Sequence, residues 1–93
     1  MKILQTVSFK KSVKKLQRNQ TLELDEAIRK IAQNPSIGEL KKGDLTEVRV
    51  YKFKIKHSLI LLAYTYDNMD QTMTLLKLGS HENFYRDLKS EIN

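Results

Sequence analysis

Lys52, Lys54 and Lys56 alternate with Tyr51, Phe53 and Ile55 in the stretch 50–57, and this spacing is the strongest chemical signal in the chain. Successive residues of a strand point to opposite faces, so the pattern predicts a strand with an apolar back and a cationic front. Ammonium groups crowded on one open face repel one another. They become favourable when a polyanion lies across them, which marks the surface as one that handles phosphates. The same alternation would also suit a plain solvated strand whose lysines discourage edge-to-edge association. A second candidate is His81, which follows Gly79-Ser80 at the end of an apolar run and precedes Tyr85 by four residues. Histidine exchanges a proton near neutral pH, and residues four apart share a helix face. Tyr85 is suited to stacking on a base or orienting a phosphate. On the blander alternative, Phe84 and Tyr85 anchor a terminal helix, with Phe84 in the core and Tyr85 the more exposed. His57, next to Ser58 at an expected turn, reads as an exposed turn residue.

The composition narrows the partners. Seventeen Lys and Arg stand against 11 Asp and Glu in 93 residues, a formal net charge of +6 with a pI near 9.6. A balance so basic favours an acidic partner: nucleic acid, an acidic protein or an anionic membrane. The length fits one domain, 1–93, with a single core. There is no cysteine, which excludes disulfides and thiolate metal sites and suits a reducing cytoplasm. His57 and His81 lack paired zinc spacing, so neither a metal nor another cofactor is expected. No apolar run reaches the length of a signal peptide or a membrane span, and a cytoplasmic location is expected.

The elements that must position these residues follow from periodicity. Lys2 to Ser8 alternate loosely as a first strand. Phe9, Val13 and Leu16 mark one face of a helix whose other face carries Lys10, Lys11, Lys14, Lys15 and Arg18. Asn19-Gln20-Thr21 is expected to break it, and Leu24, Ala27, Ile28 and Ile31 mark a second helix, with Asp25 and Glu26 in its early turns. Asn34-Pro35 stops that helix, because a residue before proline is pushed out of the helical region. A loop over 36–44 leads to three strands: Leu45–Lys56, the nearly all-apolar Leu59–Tyr66, and Thr72–Leu78. The second should be central and buried on both faces. Ser80-His81-Glu82-Asn83 is expected to open a short last helix. The order is β-α-α-β-β-β-α, an α+β fold with the helical hairpin on the apolar back of an antiparallel-rich sheet and the front left open at Lys52 and Lys54.

This order resembles the RelE/ParE superfamily of toxins from bacterial type II toxin–antitoxin systems. Three patterns carry the resemblance. They are Asn34-Pro35-Ser36-Ile37-Gly38 closing the second helix, Tyr51-Lys52-Phe53-Lys54-Ile55 followed by Leu62-Ala63-Tyr64, and Leu78-Gly79-Ser80-His81-Glu82-Asn83-Phe84-Tyr85. The resemblance covers essentially the whole chain. It implies one of two activities: a ribosome-dependent mRNA endonuclease that enters the A site of the 70S ribosome, or a ParE-like toxin that inhibits DNA gyrase without being a nuclease. In either case it implies a cognate antitoxin that wraps the toxin.

On the nuclease branch the resemblance assigns roles residue by residue. Lys52 and Lys54 match lysines used around the scissile phosphate. His81 lies where such nucleases carry an arginine or histidine, and the Gly-Ser-His pattern with Tyr85 looks most like the YafQ type. Apart from the resemblance, the charge of the first helix suits Lys10, Lys11 and Lys14 to a grip on ribosomal RNA, to an acidic antitoxin segment, or to plain solvation, and Arg49 and Lys56 are further RNA-binding candidates. The departure is Leu61, which stands where RelE-type nucleases carry a phosphate-holding arginine. Lys56 and Arg49 are the candidates to replace that cation. An arginine introduced at 61 is expected to raise activity, provided the site lacks a phosphate clamp and the side chain can reach across the sheet.

Overall fold

Leu61, Leu62, Ala63 and Tyr64 have no exposed surface, so the strand that carries them must be covered on both faces. A computed structural model of the protein describes residues 1–45, 47–81 and 83–92, with the backbone alone at 44 and 92. Thr46, in the predicted strand from Leu45, and Glu82, in the Gly-Ser-His stretch, lie outside the described residues. The elements are β1 (Lys2–Gln5), α1 (Val7–Lys14), α2 (Arg18–Gln33), β2 (Glu39–Leu40), β3 (Arg49–Ile55), β4 (Ser58–Asp67), β5 (Thr72–Ser80) and α3 (Phe84–Ile92). They form one five-stranded sheet ordered β1-β5-β4-β3-β2, with β4 at its centre. β1 runs parallel to β5, and every other pairing is antiparallel.

The helical hairpin lies on the back. Phe9 of α1 and Leu24 and Ile31 of α2 form one core with Leu62, Tyr64, Met73, Leu75 and Leu78, and Tyr51 and Phe53 pack against it. Alternation along β3 therefore works as expected: Tyr51, Phe53 and Ile55 turn toward the hairpin, and Lys52 and Lys54 turn away and are exposed. The front is open at Lys52 and Lys54, as expected, but not throughout. There α3 covers part of the sheet, and Phe84 and Leu88 join Leu45, Val48, Val50, Leu61 and Ala63 in a second, smaller core.

Local chemistry explains the boundaries that depart from expectation. β1 ends at Gln5 because Thr6 caps α1: its hydroxyl accepts from the Phe9 N–H at 3.1 Å and donates to the Leu76 carbonyl at 2.7 Å. The helices part at Lys15–Gln17, before Asn19-Gln20-Thr21. Those polar residues form the first turn of α2, where the Gln17 N–H donates to Gln20 Oε1 at 2.8 Å. Asp25 and Glu26 consequently sit mid-helix, with no acid in the first turn. α2 does stop at Gln33, before Asn34-Pro35. Within the expected loop, β2 adds two residues to the sheet edge, opposite Val50 and Arg49. β3 begins at Arg49 and closes at Ile55, because Lys56 and His57 make the two-residue turn to Ser58 with Lys56 at φ 57°. Lys56 thus leaves the strand face on which alternation placed it. Ser80 ends β5 rather than opening α3, which starts at Phe84 after a left-handed Asn83.

The motif Asn34 to Gly38 is a latch. The Tyr64 hydroxyl donates to the Pro35 carbonyl at 2.7 Å and accepts the Gly38 N–H at 2.9 Å. A Cβ at position 38 would lie 2.6 Å from that hydroxyl, so only glycine permits the approach. Arg49 Nη1 completes the latch, donating to Gly38 O at 2.8 Å and Ser36 O at 3.3 Å. Burial pushes the Tyr64 pKa up, against the Gly38 hydrogen bond and the Arg49 charge.

Candidate functional site: a cationic strip beside the last helix

Residues directly opposite across a ladder share a face, so the pairings give a map of the front. Lys54 stands opposite Leu59. Lys52 stands opposite Leu61, which is opposite Gly79. Glu39 is opposite Val50, and Val50 is opposite Ala63, which faces Lys77. Phe84 lies over the middle of this map. A Cβ on Gly79 would lie 3.4 Å from its ring, in ordinary van der Waals contact, so the ring rests directly over this part of β5. Farther along α3, Glu91 Oε1 accepts from Lys77 Nζ at 3.0 Å and from the Ser8 hydroxyl at 3.0 Å. The helix is pinned at both ends over β4 and β5, and the strip of Lys52 and Lys54 on β3 stays uncovered.

The turn between β5 and α3 delivers His81 to the edge of that strip. Ser80 pairs with Ile60, so His81 leaves the sheet one step beyond, at the level of Leu59 and Lys54. His81 lies outside the helix, yet the turn closed by the Phe84 N–H on the His81 carbonyl at 3.3 Å folds it back. Its ring meets the Tyr85 ring edge-on, with centroids 6.0 Å apart at 80°. Tyr85 also packs edge-on against Phe84, centroids 5.4 Å apart. Phe84 is buried and Tyr85 half-buried, as their order in the sequence suggests. Lys52, Lys54, His81 and Tyr85 therefore lie on one side of the sheet, and all but Tyr85 are exposed.

The remaining predicted cations lie elsewhere. Lys10, Lys11 and Lys14 are exposed on α1, in the helical layer behind the sheet. Arg49 points to the back and spends its guanidinium on the latch carbonyls. Lys56 is exposed at the hairpin tip, one residue beyond the strip. Leu61 is fully buried beneath α3, where it belongs to the front core. An arginine at 61 would start from inside this core, beside Phe84 and Leu88, so the condition that its side chain reach freely across the sheet is not met.

Two residues absent from the sequence-based set stand in the site. Lys41 Nζ lies 5.0 Å from the Tyr85 ring centroid and 3.1 Å from Glu39 Oε1. Desolvation is the strongest influence on Lys41 and opposes its charge. The hydrogen bond to Glu39 and the Tyr85 hydroxyl outweigh it, so the Lys41 pKa rises above the ordinary lysine value. The hydrogen bond from Lys41 and its charge, with a lesser contribution from Lys52, hold the Glu39 carboxyl below its usual value. The signal was faint: β2 is two residues long and its glutamate and lysine looked like loop charges. A hollow of about 690 Å³ lies away from the strip and carries Glu47, Asp67 and Asp70 beside Arg49. Its carboxylates make it a poor seat for phosphate. No group of metal-ligating side chains occurs among the described residues. No helix among them is long and apolar enough to cross a membrane.

The fold and strip define a small α+β protein of the RelE-like kind, and the comparisons agree. Residues 3–89 match the family model of the ParE-like toxin of type II bacterial toxin–antitoxin systems. The chain belongs to that family, within the RelE/ParE toxins. No individual curated protein matches its sequence. Among solved structures, a mutant of the toxin RelE from E. coli in the free state superposes with a TM-score of 0.74 at 18% identity, covering 99% of this chain and 97% of that one. The toxin–antitoxin complex RelBE from E. coli gives 0.70 at 18% identity, over 87% of this chain and 96% of that one. The YoeB/ParE toxin from Agrobacterium tumefaciens gives 0.69 at 18% identity, over 87% and 99%.

Proposed function

We propose that the protein is a toxin that cuts mRNA on the ribosome, a metal-independent endoribonuclease acting in the cytoplasm and held inactive by a cognate antitoxin. The observation that carries this reading is the juxtaposition of an uncovered lysine strip with the His81–Tyr85 ring pair at its edge. In the proposed reaction the ribose 2′-hydroxyl passes its proton to solvent water and its oxygen bonds to the adjacent phosphorus. The bond from phosphorus to the 5′-oxygen then breaks. Lys52 and Lys54 stabilise the dianionic transition state, often the largest catalytic contribution. His81 delivers a proton to the departing 5′-oxygen. Tyr85, fixed by Phe84 on one side and His81 on the other, stacks on a base or orients the phosphate. The antitoxin would bring carboxylates or apolar side chains to the same face and conceal Lys52, Lys54 or His81. The RelBE complex from E. coli, in which a RelE-type toxin is bound to its antitoxin, supports such a partner by analogy of fold.

A second reading, inhibition of DNA gyrase by protein contact, is favoured by Leu61. The core residue at 61 leaves the strip without the arginine that RelE-type nucleases carry there. Brief induction followed by primer extension on mRNA separates the two. Codon-phased cuts that vanish when translation is blocked support the nuclease, whereas DNA breaks with intact mRNA support the gyrase inhibitor.

A further inference from the structure

We propose that Lys41 is a phosphate-binding residue of this site, occupied in the free protein by Glu39, which an incoming RNA phosphate displaces. The inference deepens the nuclease reading and rests on it for the identity of the ligand. Lys41 extends from β2 on the front of the sheet: its N–H donates to the Val48 carbonyl at 2.8 Å, and Val48 lies in the front core. Glu39, two residues earlier, shares that face and stands opposite Val50, with Lys52 the next front-facing residue along β3. The carboxylate thus lies between two ammonium groups, and both of them lower its pKa. A phosphodiester is also an oxyanion, and at this place it would meet the same two cations together with the Tyr85 hydroxyl.

Lys41 differs from the lysines of the strip in being held. Its side chain is 19% exposed, seated by the Tyr85 ring, while that of Glu39 is 66% exposed. The cation is therefore positioned before ligand arrives, and the anion beside it is free to swing into solvent. With Glu39 largely in solvent the pair is only partly shielded, and phosphate would replace one oxyanion on Lys41 by another. The arrangement also supplies, from the opposite flank, a positive charge that Leu61 cannot give. The only other lysine this sheltered among the ion pairs of the described residues, Lys77, is committed to Glu91 beneath α3.

The test is titration of the full chain with a 2′-O-methyl RNA trinucleotide, which cannot be cut, over a range of salt. Lys41→Ala should bind about tenfold more weakly, and its slope of log affinity against log salt should be shallower by about 0.7, the value for one lost phosphate contact on a single strand. Lys41→Arg should restore the slope, and Glu39→Gln should tighten binding several-fold. A role confined to holding Tyr85 would not change the salt slope. Unchanged affinity and slope in Lys41→Ala would overturn the inference, as would no binding of the trinucleotide by the parent. Cleavage of ribosomal mRNA separates this from the broader reading. Lys41-dependent binding without any cleavage keeps the phosphate site and removes the nuclease. Cleavage that Lys41→Ala leaves intact, with binding equally intact, does the reverse.

Discussion

On the back of the sheet, Phe9, Leu24 and Ile31 from two helices interlock with Leu62, Tyr64, Met73 and Leu75, and the Tyr64 hydroxyl ties the following loop to the same surface. On the front, a single short helix seats Phe84 and Leu88 with Val50, Leu61 and Ala63 and leaves Lys52 and Lys54 exposed. The back core is the larger, with half-buried hydrophobics such as Val13, Leu16, Ile28 and Phe53 packed around it, and burial is the dominant favourable contribution to folding. The smaller front core holds α3 and the segment with Leu45 and Val48 against the sheet. That helix in turn fixes Tyr85 and, through the turn before it, His81. The difference shows how a chain of this size divides its labour: one face secures the fold, and the other keeps cations exposed, which would be costly to bury.

Substitutions can break this comparison at graded strength. Leu61→Arg should do most damage, since it puts an unpaired charge at a position with no exposure; destabilisation beyond about 4 kcal/mol is expected in urea unfolding. Phe9→Ala comes next, lowering global stability by about 3–5 kcal/mol. Phe84→Ala should instead release α3 locally, so hydrogen exchange should quicken in α3 while β4 and β5 stay protected. A collapse of protection throughout the sheet would show that the two faces do not act separately.

His81→Gln should leave the melting temperature unchanged, because the side chain is exposed, and should slow cleavage roughly a hundredfold. Lys54→Ala should also slow it, with a combined loss smaller than the product because both act on one transition state. The smallest expected effect is Tyr64→Phe, which orphans the Gly38 N–H and costs about 1–3 kcal/mol. It carries a pH signature. The Tyr64 pKa is raised in the folded state, so its contribution is complete below the ordinary tyrosine value of 10.0 and is lost as pH rises through the higher folded value. The parent should therefore show an alkaline decline in stability that Tyr64→Phe lacks.

The sequence made the back of the molecule legible and the front only half so. Alternation at 51–55 and the apolar run at 59–66 report burial directly, and burial is what repeats with period two. Helix spacing at 24, 27 and 31 does the same. Boundaries were harder, because Thr6, Gln17 and Lys56 act through single hydrogen bonds or one left-handed residue, which leave no periodic trace. The meeting of His81 with Tyr85 was readable as a four-residue spacing, although a turn and not a helix brings it about. Lys41 and Glu39 were hidden because β2 is defined by its partner β3 and not by its own pattern. Arg49 looked like a free cation, and its tie to the carbonyls of Ser36 and Gly38 depends on how distant segments meet.

The central claim is that the uncovered strip and His81 cut mRNA during translation. The direct measurement is primer extension on mRNA after brief induction of the parent and of His81→Gln, with and without a block on translation. The account predicts codon-phased cuts in the parent that disappear under the block and in the variant. Growth arrest by both proteins with mRNA uncut would contradict it and leave gyrase inhibition as the reading to pursue.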